Sequence, residues 1–322
     1  MANSPIVSIV IPAYGRTDLL EKSVRSALAQ DFDPKQFEVI VVDTSADDGN
    51  ARMIVNLQQE APCRLLFFRK KPEGPGPSRN LGVKESRSEY LAFLDSDCWA
   101  RPDWLREGLS RFQEGMGLVQ GKIIPDPEVP HSVFNRSIEV YREAWCYETA
   151  NIFYRREAFD QVGGFIADPK GHSLNYALGG EDVDLAWKVK RAGWKSCFAE
   201  NAVVAHNVAR LPLWRWIIQI RMGSLPLVVA TNPEIRRFFY ARYFFDQAQA
   251  LVVLALLGLV GGFFYPAALL LILPYFIKRA TEPSKTLKGP MRLLRVVLYF
   301  PRDLATFGAL LLASIRYRAL LL

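Results

Sequence analysis

"IVSIVIP", residues 6–12, is a near-continuous apolar run rich in β-branched residues, with no polar alternation. A strand that apolar along its whole length is covered on both faces, the situation of a parallel sheet flanked by helices. Outward from it the pattern repeats. "DLLEKSVRSALAQ" (18–30) carries apolar residues at 19, 20, 24, 27 and 28, which is helical spacing. "FEVIVVD" (37–43) reads as a second buried strand, "NARMIVNLQQE" (50–60) as a second helix, and "RLLFFRK" (64–70) as a third strand. "GPSRNLGVKES" (76–86) leads into a third helix, and "YLAFLDSD" (90–97) is a fourth strand. Strict strand–helix alternation predicts right-handed βαβ units and an α/β, mostly parallel, doubly wound, Rossmann-like sheet.

Ligands of such sheets sit beyond the carboxyl ends of the strands. Tyr14, Asp43, Asp95 and Asp97 all fall at or just past strand ends, so the sequence gathers them on one rim. Asp95 and Asp97 are one residue apart, and in extended chain their carboxylates point the same way. Two like charges side by side repel unless a cation lies between them; an Asp-rich turn bonding its own backbone is the alternative.

Downstream, "WLREGLSRFQ" (104–113) reads as a helix and "GLVQGKIIP" (117–125) as a strand, while 126–149 has no clear period. "NIFYRREAFDQVGGF" (151–165) reads as strand, short helix and glycine turn. "GGEDVDLAWKVKRAGW" (179–194) is an amphipathic helix with Val183, Leu185, Ala186, Val189 and Ala192 on its buried side and Glu181 and Asp182 in its first turn. "KSCFAENAVVAHNV" (195–208) supplies one or two closing strands.

The formal charge of the 322 residues is +7. Residues 1–200 hold 25 Lys and Arg against 29 Asp and Glu, and residues 201–322 hold 15 against 4. The basic excess belongs to the most apolar part of the chain, which favours a membrane surface over nucleic acid as partner. "LPLWRWIIQIRMGSLPLVVA" (211–230) sets tryptophans beside arginines, as headgroup-level helices do. Between Asp246 and Lys278 lie 31 uncharged residues. One helix of that length would measure about 46 Å, more than the roughly 30 Å hydrocarbon core, and "GGFFYP" (261–266) offers a break. Basic residues flank both sides (Arg236, Arg237 and Arg242; Lys278, Arg279, Lys285 and Lys288), so a hairpin of two short helices over about 247–277 is expected, with both ends cytoplasmic. A third apolar segment, about 293–315, is interrupted by Arg302 and Asp303 and reads either as a span or as an interfacial helix. The expected organisation is thus a catalytic domain over 1–210, interfacial amphipathic helices over 211–242 and membrane-associated helices over 243–322. Four scattered cysteines without CxxC spacing suit a reducing compartment, and the first residues lack the basic n-region of a signal peptide.

"SIVIPAYGR" (8–16), "VIVVDTS" (39–45), "GPSRNLGV" (76–83), "LAFLDSDC" (91–98) and "GGEDVDLAWKVKRAGW" (179–194), in that order and spacing, resemble the family 2 glycosyltransferases of the GT-A fold over roughly residues 5–208. The resemblance implies an inverting, metal-dependent, hexosyltransferase-type enzyme that takes a sugar from a nucleotide-diphosphate sugar. Pro12, Ala13 and Tyr14 match the segment lining the base pocket, and Asp43 the acid that bonds the base, usually uracil. Relatives often carry a second acid beside it, where Thr44 stands here, so a UDP-sugar is implied less firmly than a nucleotide sugar. Arg79 matches a position near the phosphates. Asp95 and Asp97 match the DxD element, Asp95 on the ribose or sugar side and Asp97 on the metal, for which carboxylate and phosphate oxygens imply Mg2+ or Mn2+. Asp182 matches the catalytic base, with Glu181 beside it at the donor; His206 matches a position where some relatives hold metal. Because a helix N-terminus lowers an acid's pKa, the basicity of Asp182 is expected to come from placement. The membrane tail implies a lipid-linked or polyprenyl-phosphate acceptor at the cytoplasmic face of the cell membrane. An inactive nucleotide-binding subunit of a membrane complex and a processive polysaccharide synthase are the alternatives. The first is opposed by the joint presence of Asp43, Asp95, Asp97 and Asp182, the second by the lack of a QxxRW stretch.

Overall fold

A computed structural model of the chain describes residues 4–130, 132–166, 180–218, 220–283 and 291–322. Lys285 and Lys288, two of the flanking cations, and Gly179 of the helix-opening stretch lie outside the described residues. Contacts divide the chain into two units, the first comprising 1–129, 137–173 and 181–208, the second 130–136, 174–180 and 209–322.

In the first unit β1 (Val7–Ala13), α1 (Thr17–Leu28), β2 (Phe37–Asp43), α2 (Gly49–Glu60), β3 (Arg64–Arg69), α3 (Pro75–Glu85) and β4 (Tyr90–Leu94) alternate as the sequence predicts. These four strands run parallel in the order β3-β2-β1-β4, with Ala13 level with Asp43 in the β1/β2 register. β1 and β2 are buried almost throughout, which is why neither shows alternation.

The second half departs from the doubly wound expectation. β5 (Cys98–Ala100), α4 (Trp104–Leu109), β6 (Met116–Pro125), β8 (Asn151–Arg155), α5 (Arg156–Gln161), α6 (Glu181–Arg191) and β9 (Lys195–His206) extend the sheet as β4-β8-β6-β9-β5. Here β8 is antiparallel to both β4 and β6, and β5 is antiparallel to β9, so the sheet is mixed. Between β6 and β8 runs irregular chain, including β7 (Asn135–Arg136), which belongs to the second unit.

One polar side chain organises this half. Asn151 Nδ2 donates to the carbonyls of Lys122 (2.9 Å) and Ala202 (2.8 Å), and its Oδ1 accepts from Trp104 Nε1 (2.8 Å). Fully buried, it ties β8 to β6, β9 and α4 with every bond satisfied, which fixes register. At Gly82 in α3 a Cβ would come within 2.5 Å of a Val10 methyl carbon, so only glycine lets the helix sit this close to β1.

In the second unit β7 pairs antiparallel with β10 (Ala209–Arg210), followed by α7 (Leu213–Ile217) and α8 (Leu225–Thr231). The long uncharged run forms α9 (Gln247–Gly262), a turn through Phe263, Phe264 and Tyr265, a 3-10 stretch (Pro266–Ile272) and α10 (Leu273–Thr281). These three turn aromatics are among the most exposed large side chains. α9, with 16 residues, measures only about 24 Å. The segment expected to be ambiguous is the long one: α11 (Arg292–Tyr317) has 26 residues with Pro301 inside, and Leu293–Tyr317 is the one span among the described residues long and apolar enough to cross a bilayer. Two of its charged residues, Asp303 and Arg295, meet partners from the preceding helix and turn. Asp303 accepts from Tyr275 Oη (2.7 Å) and Arg279 Nε (2.8 Å), and Glu282 pairs with Arg279 (2.9 Å) and Arg295 (3.0 Å).

Candidate active site

The parallel strands end in a rim of acids. Asp43 closes β2 with its carboxylate fully buried. Oδ1 accepts from Ser45 N (3.1 Å), Ser45 Oγ (2.6 Å) and Asn50 Nδ2 (3.0 Å), while Oδ2 is buried with no partner. A buried carboxylate oxygen without a donor costs about 1–3 kcal/mol or more, and a base N–H would satisfy it. Beside it Ala13 is buried, Pro12 is half-buried and Tyr14 is exposed just past β1, as a ring that stacks on a planar ligand would be.

α3 opens at Pro75, and its second turn carries Arg79, almost fully buried. Nη2 donates to Asp95 Oδ1 (2.6 Å) and Nη1 to Glu181 Oε1 (3.2 Å). Both terminal nitrogens are thus taken by carboxylates. Arg79 therefore links Asp95, just past β4, to the first turn of α6. Glu181 Oε2 is buried and without a partner.

Asp97 lies across from β9. Its Oδ1 is 3.9 Å from His206 Nε2, and Asp97, Cys98 and His206 present ligand atoms all within 4.8 Å of one another. His206 Nδ1 lies 2.6 Å from the Asn207 carbonyl and 3.1 Å from Ser137 Oγ, which leaves Nε2 facing Asp97. Burial beside Asp95 and Asp97 pushes the Cys98 thiol well above its usual pKa. A carboxylate beside an imidazole nitrogen is a donor set that a divalent cation accepts. The Asp97 Oδ2 atom bonds Arg16 Nη1 (2.9 Å), a half-exposed arginine in the left-handed region (φ 49°) after Gly15.

Asp182 sits in the first turn of α6 with Oδ1 accepting Val183 N (2.9 Å). The sequence looks to placement more than to a raised pKa for the basicity of Asp182, and the surroundings add an upward push. Burial, then Glu148, then Glu181 push the Asp182 carboxyl well above the carboxylate range, and these outweigh Arg79 and the backbone donor. The Glu148 carboxyl, from the stretch without clear period, is itself raised, mainly by burial and then by Asp95. Asp184, the third acid of the turn, is taken by Lys188 (2.8 Å).

Sequence reading missed Glu148, Arg16 and the Ser45–Asn50 clamp on Asp43. Glu148 had no periodic element to place it, and Arg16 reads as one more solvated cation. "DTSADDGN" (43–50), by contrast, holds Ser45 two and Asn50 seven residues after the acid, a local clamp that could have been found.

A mixed, mostly parallel sheet flanked by helices, with carboxylates at the rim of its parallel strands, is the GT-A fold. The chain belongs to glycosyltransferase family 2: the model described as "Glycosyl transferase family group 2" matches residues 90–279, and that described as "Glycosyl transferase family 2" matches residues 8–167. It is 24% identical over 253 residues to glycosyltransferase AglE of Haloferax volcanii, covering 73% of this chain and 78% of AglE. It is 30% identical over 126 residues to the GalNAc(5)-diNAcBac-PP-undecaprenol beta-1,3-glucosyltransferase of Campylobacter jejuni, covering 38% of this chain and 40% of that one. The mannosyltransferase PcManGT from Pyrobaculum calidifontis, solved with GDP-Man and Mn2+, superimposes with a TM-score of 0.60 at 18% identity, over 98% of this chain and 88% of that one.

Proposed function

We propose that the chain moves a sugar from a nucleotide-diphosphate sugar, a UDP-sugar by preference, to a membrane-associated, lipid-linked acceptor, inverting the anomeric centre. The observation that carries this reading is the Arg79 fork, which joins Asp95 of the DxD stretch to Glu181 beside Asp182 and so sets donor-side and acceptor-side acids around one space. Asp43 Oδ2 accepts a base N–H, with Pro12, Ala13 and Tyr14 lining that pocket. Asp95 contacts the ribose or sugar, and Glu181 Oε2, buried without a partner, faces the donor sugar as an acceptor. Asp97 and His206 Nε2 would hold a divalent cation, Mn2+ or Mg2+, which when bound would supply positive charge for the departing diphosphate. Asp182 takes the acceptor hydroxyl proton from the face opposite the leaving group. That the Campylobacter relative is named for a polyprenyl-diphosphate substrate, and that this chain has an apolar helix with basic flanks, supports the lipid-linked acceptor and a place at the cytoplasmic face of the membrane. A panel of UDP-, GDP- and TDP-sugars, with and without Mn2+, tests the donor by thermal shift. Stabilisation by a UDP-sugar that needs Mn2+ and vanishes in Asp97→Ala is expected, whereas no stabilisation by any nucleotide sugar refutes the site.

A further inference from the structure

The 31 uncharged residues between Asp246 and Lys278 fold back on themselves. α9 starts at a cap, the Asp246 carboxylate accepting from Gln249 N (2.9 Å). The chain turns through Phe263, Phe264 and Tyr265 and returns through Pro266–Ile272 into α10. The two legs touch through glycine: a Cβ on Gly262 would fall 2.6 Å from Leu269 Cδ2, and one on Gly258 3.0 Å from the Ala268 carbonyl oxygen. α11 closes one flank, where Phe300 and Phe307 pack with Val252, Ala255 and Tyr275. Away from that flank the surface is apolar. Phe263 is 90% exposed, Phe264 76% and Tyr265 75%, and Leu257, Leu270 and Ile277 are each exposed to 60% or more.

A loop tip that faces water carries small polar residues and leaves backbone groups to the solvent. This tip does neither. Phe263 N donates to the Val260 carbonyl (3.3 Å), and Phe264 N and Tyr265 N both donate to that of Gly261 (2.9 and 2.8 Å). Pro266 has no N–H, and Ala268 N donates to the Tyr265 carbonyl (2.9 Å). A turn that satisfies its own donors can enter hydrocarbon, where an orphaned donor costs several kcal/mol. Past Gln249, α9 has no polar stripe to turn toward water, so it is not built to lie flat among headgroups. A protein partner would be met by a polar rim around an apolar centre, and this surface carries no charged residue until Lys278.

Length sets how far the hairpin can go. α9, with 16 residues, rises about 24 Å. The return through a 3-10 stretch of 7 residues and on to Ile277 covers about 22 Å, which brings Lys278 back to the level of Asp246. Arg236, Arg237 and Arg242 precede one foot, and Lys278 and Arg279 stand at the other, charges that suit anionic headgroups. Against roughly 30 Å of hydrocarbon the turn stops about 6 Å short of the far side, where the Tyr265 hydroxyl can reach headgroups. Resting on the membrane placement in the reading above, we propose that residues 247–277 form a re-entrant hairpin. It enters the bilayer from one face and returns to that face, with Phe263 and Phe264 among the acyl chains and neither leg crossing. The chain before Asp246 and the chain after Lys278 therefore leave the hairpin on the same side.

The test uses the full chain in vesicles of phosphatidylcholine and phosphatidylglycerol. Cys63, Cys146 and Cys197 are replaced by serine, and Cys98 stays because it is fully buried. A nitroxide is attached at Phe264→Cys, and in a second protein at Leu257→Cys, and read by power-saturation electron paramagnetic resonance. Both labels should be reached by oxygen and not by a water-soluble nickel chelate, while labels at Gln247→Cys and Lys278→Cys should be reached by the chelate. Nickel access at position 264 puts the tip in water, on one side of the membrane or the other, and overturns the proposal. A label at 264 closed to both reagents means that protein covers the tip, a second copy or another partner, and overturns it as well. Failure of the membrane placement itself has a different mark: the wild-type chain would not float with the vesicles at all.

Discussion

Replacing Arg79 by methionine tests whether one buried guanidinium holds the two halves of the rim together. Methionine fills much of the volume and removes only the charge and the fork. Two charge-assisted bonds go, at 2.6 and 3.2 Å, each worth about 1.5–3 kcal/mol. Glu181 is left buried and unpaired, while Asp95, a quarter exposed, recovers part of its hydration. Breaking a buried pair by removing one partner costs roughly 3–5 kcal/mol, and the partial exposure of Asp95 points to the lower half of that range. For a folding unit of this size a loss of about 3 kcal/mol lowers Tm by roughly 6–12 °C. The assay is thermal unfolding of the detergent-solubilised chain by tryptophan fluorescence at neutral pH. Arg79→Lys, which can serve one carboxylate but not span two, should fall between the wild type and Arg79→Met. A drop below about 2 °C for Arg79→Met, or Arg79→Lys matching the wild type, refutes the idea that the fork carries this load.

Three further outcomes are expected. Arg16→Ala frees Asp97 from an exposed ion pair worth about 0.2–1 kcal/mol, so Mn2+ binding followed by electron paramagnetic resonance should tighten by roughly 1.5- to 5-fold; unchanged or weaker binding counts against a competing Arg16. Asp182 and Glu148 have folded-state pKa values above their unfolded ones, so the native state binds more protons. Their contribution is therefore fully present below the unfolded value near 4 and is lost as pH rises toward the folded values. Tm should accordingly decline with rising pH across that window, less steeply in Asp182→Asn, and equal slopes in the two proteins exclude the linkage. Gly82→Ala should cost about 1–3 kcal/mol in chemical denaturation through the clash with Val10, and a neutral result means that α3 can shift on β1.

The first half of the fold is legible because each element announces its own period. β1 and β2 are unbroken apolar runs, and the helices between them keep helical spacing, so the rim that collects Asp43, Asp95 and Asp97 follows from strand ends alone. The antiparallel insertion of β8 is not legible, since "NIFYR" (151–155) is as apolar as a parallel strand and its direction depends on Asn151 meeting β6 and β9. Asp182 stands out in the sequence by its neighbours, but the surroundings of its carboxyl do not. The helix end and the buried acid across the gap act in opposite directions, and only the structure shows that Glu148 is there. The same holds in the tail, where Arg302 and Asp303 read as interruptions although Asp303 has partners 24 and 28 residues earlier in the chain.

That last contact bears on how the chain is made. A lone aspartate at the middle of an inserting helix costs about 2.5–3.5 kcal/mol, and α11 carries Asp303 near its centre. Its partners Tyr275 and Arg279 are synthesised first and lie in α10, a helix of 9 residues that is too short to cross a bilayer by itself. Each segment on its own is a poor client for membrane insertion, and the two become acceptable only as a pair. If α11 crosses a membrane, as proposed above, α10 should therefore wait at the surface until α11 has left the ribosome. A nascent chain stalled before Asp303 should be extractable from membranes by alkali, and one stalled beyond Leu322 should not.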